Sequence, residues 1–113
     1  MNFKELKELD LSINNISDIK ILEKVKFDKL EKLNLSSNII SNINIFQNVN
    51  FKELKELDLS HNDISDIKIL EKLKIKKLEK LDLSENKIDN NKLTSIINNL
   101  KAKFKHLIID LYL

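Results

Sequence analysis

Two histidines, His61 and His106, are the only imidazoles in the sequence, so nucleophilic, acid/base or metal chemistry would have to start from them. Each of those chemistries needs further groups held beside the ring: a serine and a carboxylate for acyl transfer, or additional ligands for a metal. No such third group is fixed near either histidine. Serines and aspartates are plentiful, but no nucleophile elbow, phosphate loop, HExxH or calcium-loop pattern occurs. Zero cysteines exclude disulfides and thiolate metal sites. Paired acids such as Asp10 and Asp58 fall on alternate strands of a repeating pattern, roughly 10 Å apart, which suits solvated carboxylates rather than an acid/base pair. No catalytic residue, metal site or cofactor is expected, and the chemistry left is recognition.

The recurring acids, lysines and serines are positioned by a repeat. Leu6, Leu9, Leu11, Asn14 and Ile16 fit LxxLxLxxNxI, and the string returns at Leu30 to Ile40, Leu54 to Ile64 and Leu78 to Ile88, each 24 residues after the last. A longer period also shows. Residues 3–28 and 51–76 align without a gap and differ only at Ile13/His61, Asn15/Asp63, Val25/Leu73, Phe27/Ile75 and Asp28/Lys76, which reads as duplication of a two-repeat unit.

LxxLxLxxNxI at a fixed period resembles the leucine-rich-repeat family, and the resemblance covers nearly the whole chain. It implies an α/β solenoid, with a curved parallel sheet on the concave side and short 3₁₀ or helical returns on the convex side. The segment after Ile16, Ser-Asp-Ile-Lys-Ile-Leu-Glu-Lys-Val, is similar to the short return of repeat proteins that regulate protein phosphatase 1, lengthened around Lys26 and Phe27. One domain, 1–113, is expected: repeats at about 6–29, 30–53, 54–77 and 78–103, then a fifth strand in 104–113, as part of a longer array.

The residues support the same picture. Leu9 and Leu11 alternate with Glu8, Asp10 and Ser12, the period-2 signature of a strand with one buried face. Zero Gly and zero Pro mean that some other residue must turn the chain as it leaves each strand. Asn14, Asn38, Asn62 and Asn86 stand there, and their amides can both donate to and accept from the turn backbone, forming a structural ladder. Ile16, Ile19, Leu22 and Val25 then recur every third residue, as a tight 3₁₀-like return requires, with Ser17 placed to cap it. Phe3, Phe27, Phe51 and Ile75 form a further inward column. The fourth return departs: Leu93, Ile96, Ile97, Leu100 and Phe104 are spaced like one face of an α-helix. Phe104, Leu107 and Ile109, taken as the next LxxLxL, put a fifth strand 26 residues after the fourth.

Function should live on the outward strand positions, which form one continuous surface in a curved solenoid. They are Glu8, Asp10 and Ser12; Lys32, Asn34 and Ser36; Glu56, Asp58 and Ser60; Lys80, Asp82 and Ser84. Ile13, Ser37, His61 and Glu85 flank them. The first, second and flanking columns hold six acids and two lysines, a local charge of −4. This favours docking of a basic or polar protein segment, with His61 included in the surface; the alternative is a structural or self-assembling array with no ligand site of its own. Tyr112, on the fifth strand, is the one aromatic candidate for a binding hot spot.

Bulk composition is consistent with this. Charged residues make up 34% and hydrophobic ones 42%, the balance of a folded soluble domain. A net charge of +2 is too even to point to nucleic acid or a membrane surface, and no apolar run reaches spanning length. The absence of cysteines and of an apolar leader suggests the cytoplasm or nucleus. Neither end carries an obvious polar cap: the first repeat starts at once, and the chain ends Leu111, Tyr112, Leu113, so the expectation is either a fragment of a longer array or a small protein whose open ends pair with another copy.

Overall fold

In each repeat three residues with an apolar centre are flanked by charged or amide side chains, and each becomes a short strand. The computed structural model describes residues 3–112; Met1, Asn2 and the terminal Leu113 lie outside the described residues. The strands are β1 (Glu8–Asp10), β2 (Lys32–Asn34), β3 (Glu56–Asp58), β4 (Lys80–Asp82) and β5 (Ile108–Asp110). They form one parallel sheet in chain order, with Leu9, Leu33, Leu57, Leu81 and Ile109 in register across it. Three 3₁₀ turns, Lys20–Glu23, Asn44–Gln47 and Lys68–Lys72, and one α-helix, α1 (Asn90–Lys103), return the chain along the other side. The architecture is an α/β solenoid.

Its core is one continuous apolar column. Leu30, Leu35, Ile40, Phe46, Leu54, Leu59, Ile64 and Leu70 are completely enclosed, drawn from the strands, the turns after them and the 3₁₀ returns alike. Burial of this kind is worth about 1.5–3 kcal/mol for each large side chain, so stability is carried by stacking of adjacent repeats. Phe3, at the open end of the aromatic column, stacks on Phe27 at 5.9 Å, and Phe27 meets Phe51 edge-on at 5.9 Å.

Two local devices differ from the sequence expectation. The 3₁₀ returns are not capped by Ser17 or its counterparts. Asp18, Asn42 and Asp66 each accept, through Oδ1, the amide of the residue two further on, at 2.9, 2.9 and 3.0 Å. A carboxylate or amide oxygen reaches one bond farther than a hydroxyl and so closes this Asx ring. The same contact starts α1, where Asp89 accepts the Asn91 amide. The turn after each strand also works differently: left-handed backbone falls on the residue before the ladder asparagine, with φ of 56° at Ile13, 57° at Ser37, 54° at His61 and 55° at Glu85. Without glycine, side-chain-bearing residues carry that conformation, and for a β-branched residue it is strained. Ile13 is 81% exposed and gives up no packing if replaced. Ile13→Asn is therefore expected to raise the unfolding free energy by about 1 kcal/mol in a urea titration, asparagine being tolerant of this region.

The fifth strand sits in a different register from the expected one. Ile109 pairs with Leu81 and Asp110 with Asp82, an offset of 28 rather than 26 residues. The Leu107 amide donates to the Phe104 carbonyl as the Leu78 amide does to Ile75, so Phe104 belongs to the Phe3/Ile75 column rather than opening an LxxLxL. A fourteen-residue helix needs a longer loop than a 3₁₀ turn to return to the sheet edge. α1 is fastened to the third 3₁₀ turn by Asn99 Nδ2 donating to Glu71 Oε1 at 2.9 Å and by Lys103 Nζ donating to the Leu73 carbonyl.

Candidate functional site

The alternation that points Leu9, Leu33, Leu57 and Leu81 toward the core turns the residues beside them to the opposite face. Glu8, Asp10, Lys32, Asn34, Glu56, Asp58, Lys80 and Asp82 line a shallow groove of about 270 Å³ across the strands. The first column alternates in sign. Lys32 Nζ lies 3.7 Å from Glu8 and 3.6 Å from Glu56, with all three side chains well exposed. Such pairs contribute little, roughly 0–1 kcal/mol, and leave the groups open to a partner. The second column is acidic except at Asn34, and β5 extends it with Asp110, one negative charge beyond those counted in the first four repeats.

The serine column behaves otherwise. Ser60 and Ser84 are each only 6% exposed, so these two are corrected from surface to buried positions. Each folds back on its own turn. The Ser60 amide and hydroxyl donate to Asp58 Oδ1 at 2.9 and 2.6 Å; Ser84 donates its amide to Asp82 Oδ1 and accepts the Tyr112 amide on Oγ at 3.0 Å. Ser12 at the open end makes the same contacts with Asp10 and stays half-buried, and the Ser36 amide donates to Asn34 Oδ1. The serines thus hold the second-column side chains Asp10, Asn34, Asp58 and Asp82 through their Oδ1 atoms.

That contact has a titration consequence. The Ser12 hydroxyl, then its amide, hold the Asp10 carboxyl below its ordinary value. A carboxylate with a depressed folded pKa adds stability above its unfolded pKa, near 3.9, and loses it as pH falls through the folded value. Ser12→Ala is expected to move the Asp10 pKa back upward in a carbon-detected NMR titration. Glu5 and Glu53 are lowered likewise, first by hydrogen bonds from Lys29 and Lys77 in the following repeats and then by those lysines' charge.

Below the groove rim lies the asparagine ladder. Asn62 Nδ2 donates to the carbonyls of Leu35, Leu59 and Ser60 at 3.0, 3.1 and 3.1 Å, while its Oδ1 accepts the Ile40 amide at 3.0 Å. Asn38 and Asn86 repeat the arrangement against the repeats before them. Asn14 is exposed; its side-chain amide donates to the Leu11 and Ser12 carbonyls of its own turn, and its backbone amide donates to Asn38 Oδ1 at 3.1 Å.

His61 is exposed in the turn leaving β3, while His106 is exposed in the turn entering β5; the structure does not bring them together. Among the described residues no group of His, Asp and Glu could hold a metal ion, and no helix is long and apolar enough to cross a membrane. Sequence reasoning missed two groove-side residues, Ile108 and Asp110, because the fifth strand's register is set by the helical return. Ile108, 61% exposed, stands in line with Lys80, and Tyr112, 73% exposed and expected on the fifth strand, lies two residues beyond its end. The period-2 alternation of Ile108, Asp110 and Tyr112 is the signal that could have found them.

A family model described as leucine rich repeats, two copies, matches residues 4–48 and 52–102. The chain belongs to the leucine-rich-repeat family. No curated protein matches it. Among solved structures, an internalin C2 from Listeria monocytogenes is similar at 27% identity and a TM-score of 0.70, covering 96% of this chain and 42% of that one. A second internalin from the same organism, inlF, shares the fold at 24% identity and a TM-score of 0.63, covering 96% and 35%. The leucine-rich-repeat chain thus spans less than half the length of either. Leucine-rich repeats typically act as protein-interaction scaffolds.

Proposed function

We propose that this leucine-rich-repeat chain is a non-catalytic interaction scaffold whose concave strand face docks a basic or polar segment of a partner protein. The observation that supports the reading best is the groove itself: an open, net-acidic surface whose carboxylates are presented at strand spacing on a backbone locked by the asparagine ladder. Asp58 is at its centre. Its Oδ1 is held by Ser60, while Oδ2 makes no hydrogen bond among the described residues and can meet an incoming ammonium or guanidinium. The affinity of such an interface would come from a few charge-assisted contacts made on a surface already in place.

Peptide selection from a random library displayed on phage tests the reading. Enrichment of lysine- and arginine-bearing segments is expected, with loss of those segments when Asp58→Lys is used as bait. Undiminished selection by the Asp58→Lys protein would place binding elsewhere. Of the groove acids, Asp58 should matter more than Asp10, which lies on the edge strand.

A further inference from the structure

The net charge of +2 conceals a separation of charge across the molecule. The concave groove is acidic, and the surplus of lysine collects on the flank where the returns lead back into the strands. Residues 72–77 read Lys-Leu-Lys-Ile-Lys-Lys, and residues 101–106 read Lys-Ala-Lys-Phe-Lys-His. These twelve positions hold seven lysines and no acid, in a chain with 20 basic and 18 acidic residues.

The fold stacks the two segments. Ile75 and Phe104 occupy the same place in their repeats, their carbonyls accepting the amides of Leu78 and Leu107. Lys74 thus corresponds to Lys103, and Lys76 to Lys105, in neighbouring repeats. Lys103 ties the segments together: its Nζ donates to the Leu73 carbonyl and lies 5.5 Å from the centre of the Phe104 ring. Lys72, Lys74 and Lys76 alternate with the enclosed Leu73 and Ile75, so all three point outward.

Little inside the molecule answers this charge. Lys77 pairs with Glu53, but Lys72, Lys74, Lys76, Lys101 and Lys105 are exposed and form no ion pair among the described residues. Glu71, next to Lys72, is already met by Asn99 Nδ2 at 2.9 Å. The dipole of α1 favours cations in its last turn, which accounts for Lys101 and Lys103 but not for the lysines of the preceding repeat. Nor does the fold require those. Asn48 and Asn50 stand at the Lys72 and Lys74 positions in the second repeat, and Asp28 stands at the Lys76 position in the first. Asp28/Lys76 is the one charge reversal among the five differences between residues 3–28 and 51–76.

The chemistry of the array selects the kind of anion. All 20 of the chain's Lys and Arg positions are lysine, a point charge without arginine's planar fork for a phosphate in fixed orientation. Leu73 and Ile75 are 0% exposed and Phe104 is 9% exposed, so no ring is free to stack on a base and no apolar side chain is free to wedge into a groove. One lysine segment leaves a 3₁₀ turn and the other an α-helix, which makes their spacing uneven. Such an array suits anions that can move to meet it, as acidic lipids do within a bilayer, better than the fixed phosphates of a duplex.

We propose that this strand-entry flank, through Lys72, Lys74, Lys76, Lys77, Lys101 and Lys105, docks the protein on an anionic lipid bilayer at the level of the headgroups. Contact is electrostatic and without insertion. The acidic groove is repelled by the same surface and stays open to a protein, so the two sites act independently.

Co-sedimentation with phosphatidylcholine vesicles containing about one-third phosphatidylserine, and with vesicles of phosphatidylcholine alone, tests the proposal. Binding to the first only is expected, with loss at about 0.5 M salt, where screening removes the attraction. Lys72→Asn with Lys74→Asn should lower the partition coefficient by about tenfold or more. Lys20→Asn with Lys68→Asn removes the same charge from the 3₁₀ returns, again with the residue that the second repeat holds, Asn44, and should change it by less than about twofold. Equal losses from the two pairs would mean bulk attraction without a defined face and would overturn the proposal, as would binding to both kinds of vesicle or to neither. Displacement from the vesicles by a duplex oligonucleotide at an equal or lower concentration of anionic charge would reassign the flank to nucleic acid, and displacement by polyglutamate on the same terms would reassign it to an acidic protein.

Discussion

Asn62→Ala is expected to lower the unfolding free energy by about 4 kcal/mol, a large share of the roughly 5–15 kcal/mol that holds a domain folded. Asn62 is 6% exposed and makes four hydrogen bonds to backbone groups of two successive repeats. The loss is not shared evenly among those groups. The Leu35 carbonyl keeps Asn38, the Leu59 carbonyl keeps Asn86 and the Ser60 carbonyl keeps the Ser37 amide. The Ile40 amide has no such second partner and is left buried and unpaired, which is the most costly part of the change. Asn14→Ala, at the exposed end with two bonds inside its own turn, should cost about 1 kcal/mol. Asn62→Asp keeps an acceptor for Ile40 but turns a carboxylate toward three carbonyls. Its folded pKa would be raised, so its stability should fall as pH rises through that value, the reverse of Asp10. Urea midpoints of the three variants, with a pH series for Asn62→Asp, measure all of this.

The second large effect is in the core. Phe46→Ala should destabilise the chain by about 3–5 kcal/mol, since its ring is completely enclosed in the second 3₁₀ turn and no small rearrangement fills the space. Phe46→Leu should cost only about 1 kcal/mol, because Leu22 and Leu70 occupy the equivalent places in the adjoining repeats. In a stack where each repeat touches only its neighbours, loss at the second one also separates the first from the rest. Amide exchange in β1 and β2 should accelerate more than in β4 and β5, which stay stacked on the third repeat.

The period of 24 and the alternation within Glu8–Asp10 were enough to read a parallel sheet with leucines inside, because strand pairing in a repeat array follows sequence register. Other features were less legible. Ser60 and Ser84 share the outward parity of Asp58 and Asp82, yet they are buried: the Ser60 hydroxyl reaches back to Asp58, and Ser84 Oγ accepts the Tyr112 amide from the segment after β5. The fifth strand's register depends on how many residues a helix, as opposed to a 3₁₀ turn, spends before reaching the sheet edge, and a leucine pattern does not record that. The absence of glycine pointed to an unusual turn, but the left-handed residue is Ile13, Ser37, His61 or Glu85, four dissimilar side chains at one position. No residue-type signal marks that position, because the asparagine after it fixes the geometry from outside.

The docking reading is tested most directly by mapping backbone amide shifts of the labelled protein during titration with a lysine–serine repeat peptide and, separately, with its glutamate–serine counterpart. The account predicts shifts confined to β2, β3, β4 and the turns leaving them, for the basic peptide only, and their disappearance in Asp58→Lys. Shifts centred on the 3₁₀ returns, equal responses to both peptides, or none to the basic one would contradict it.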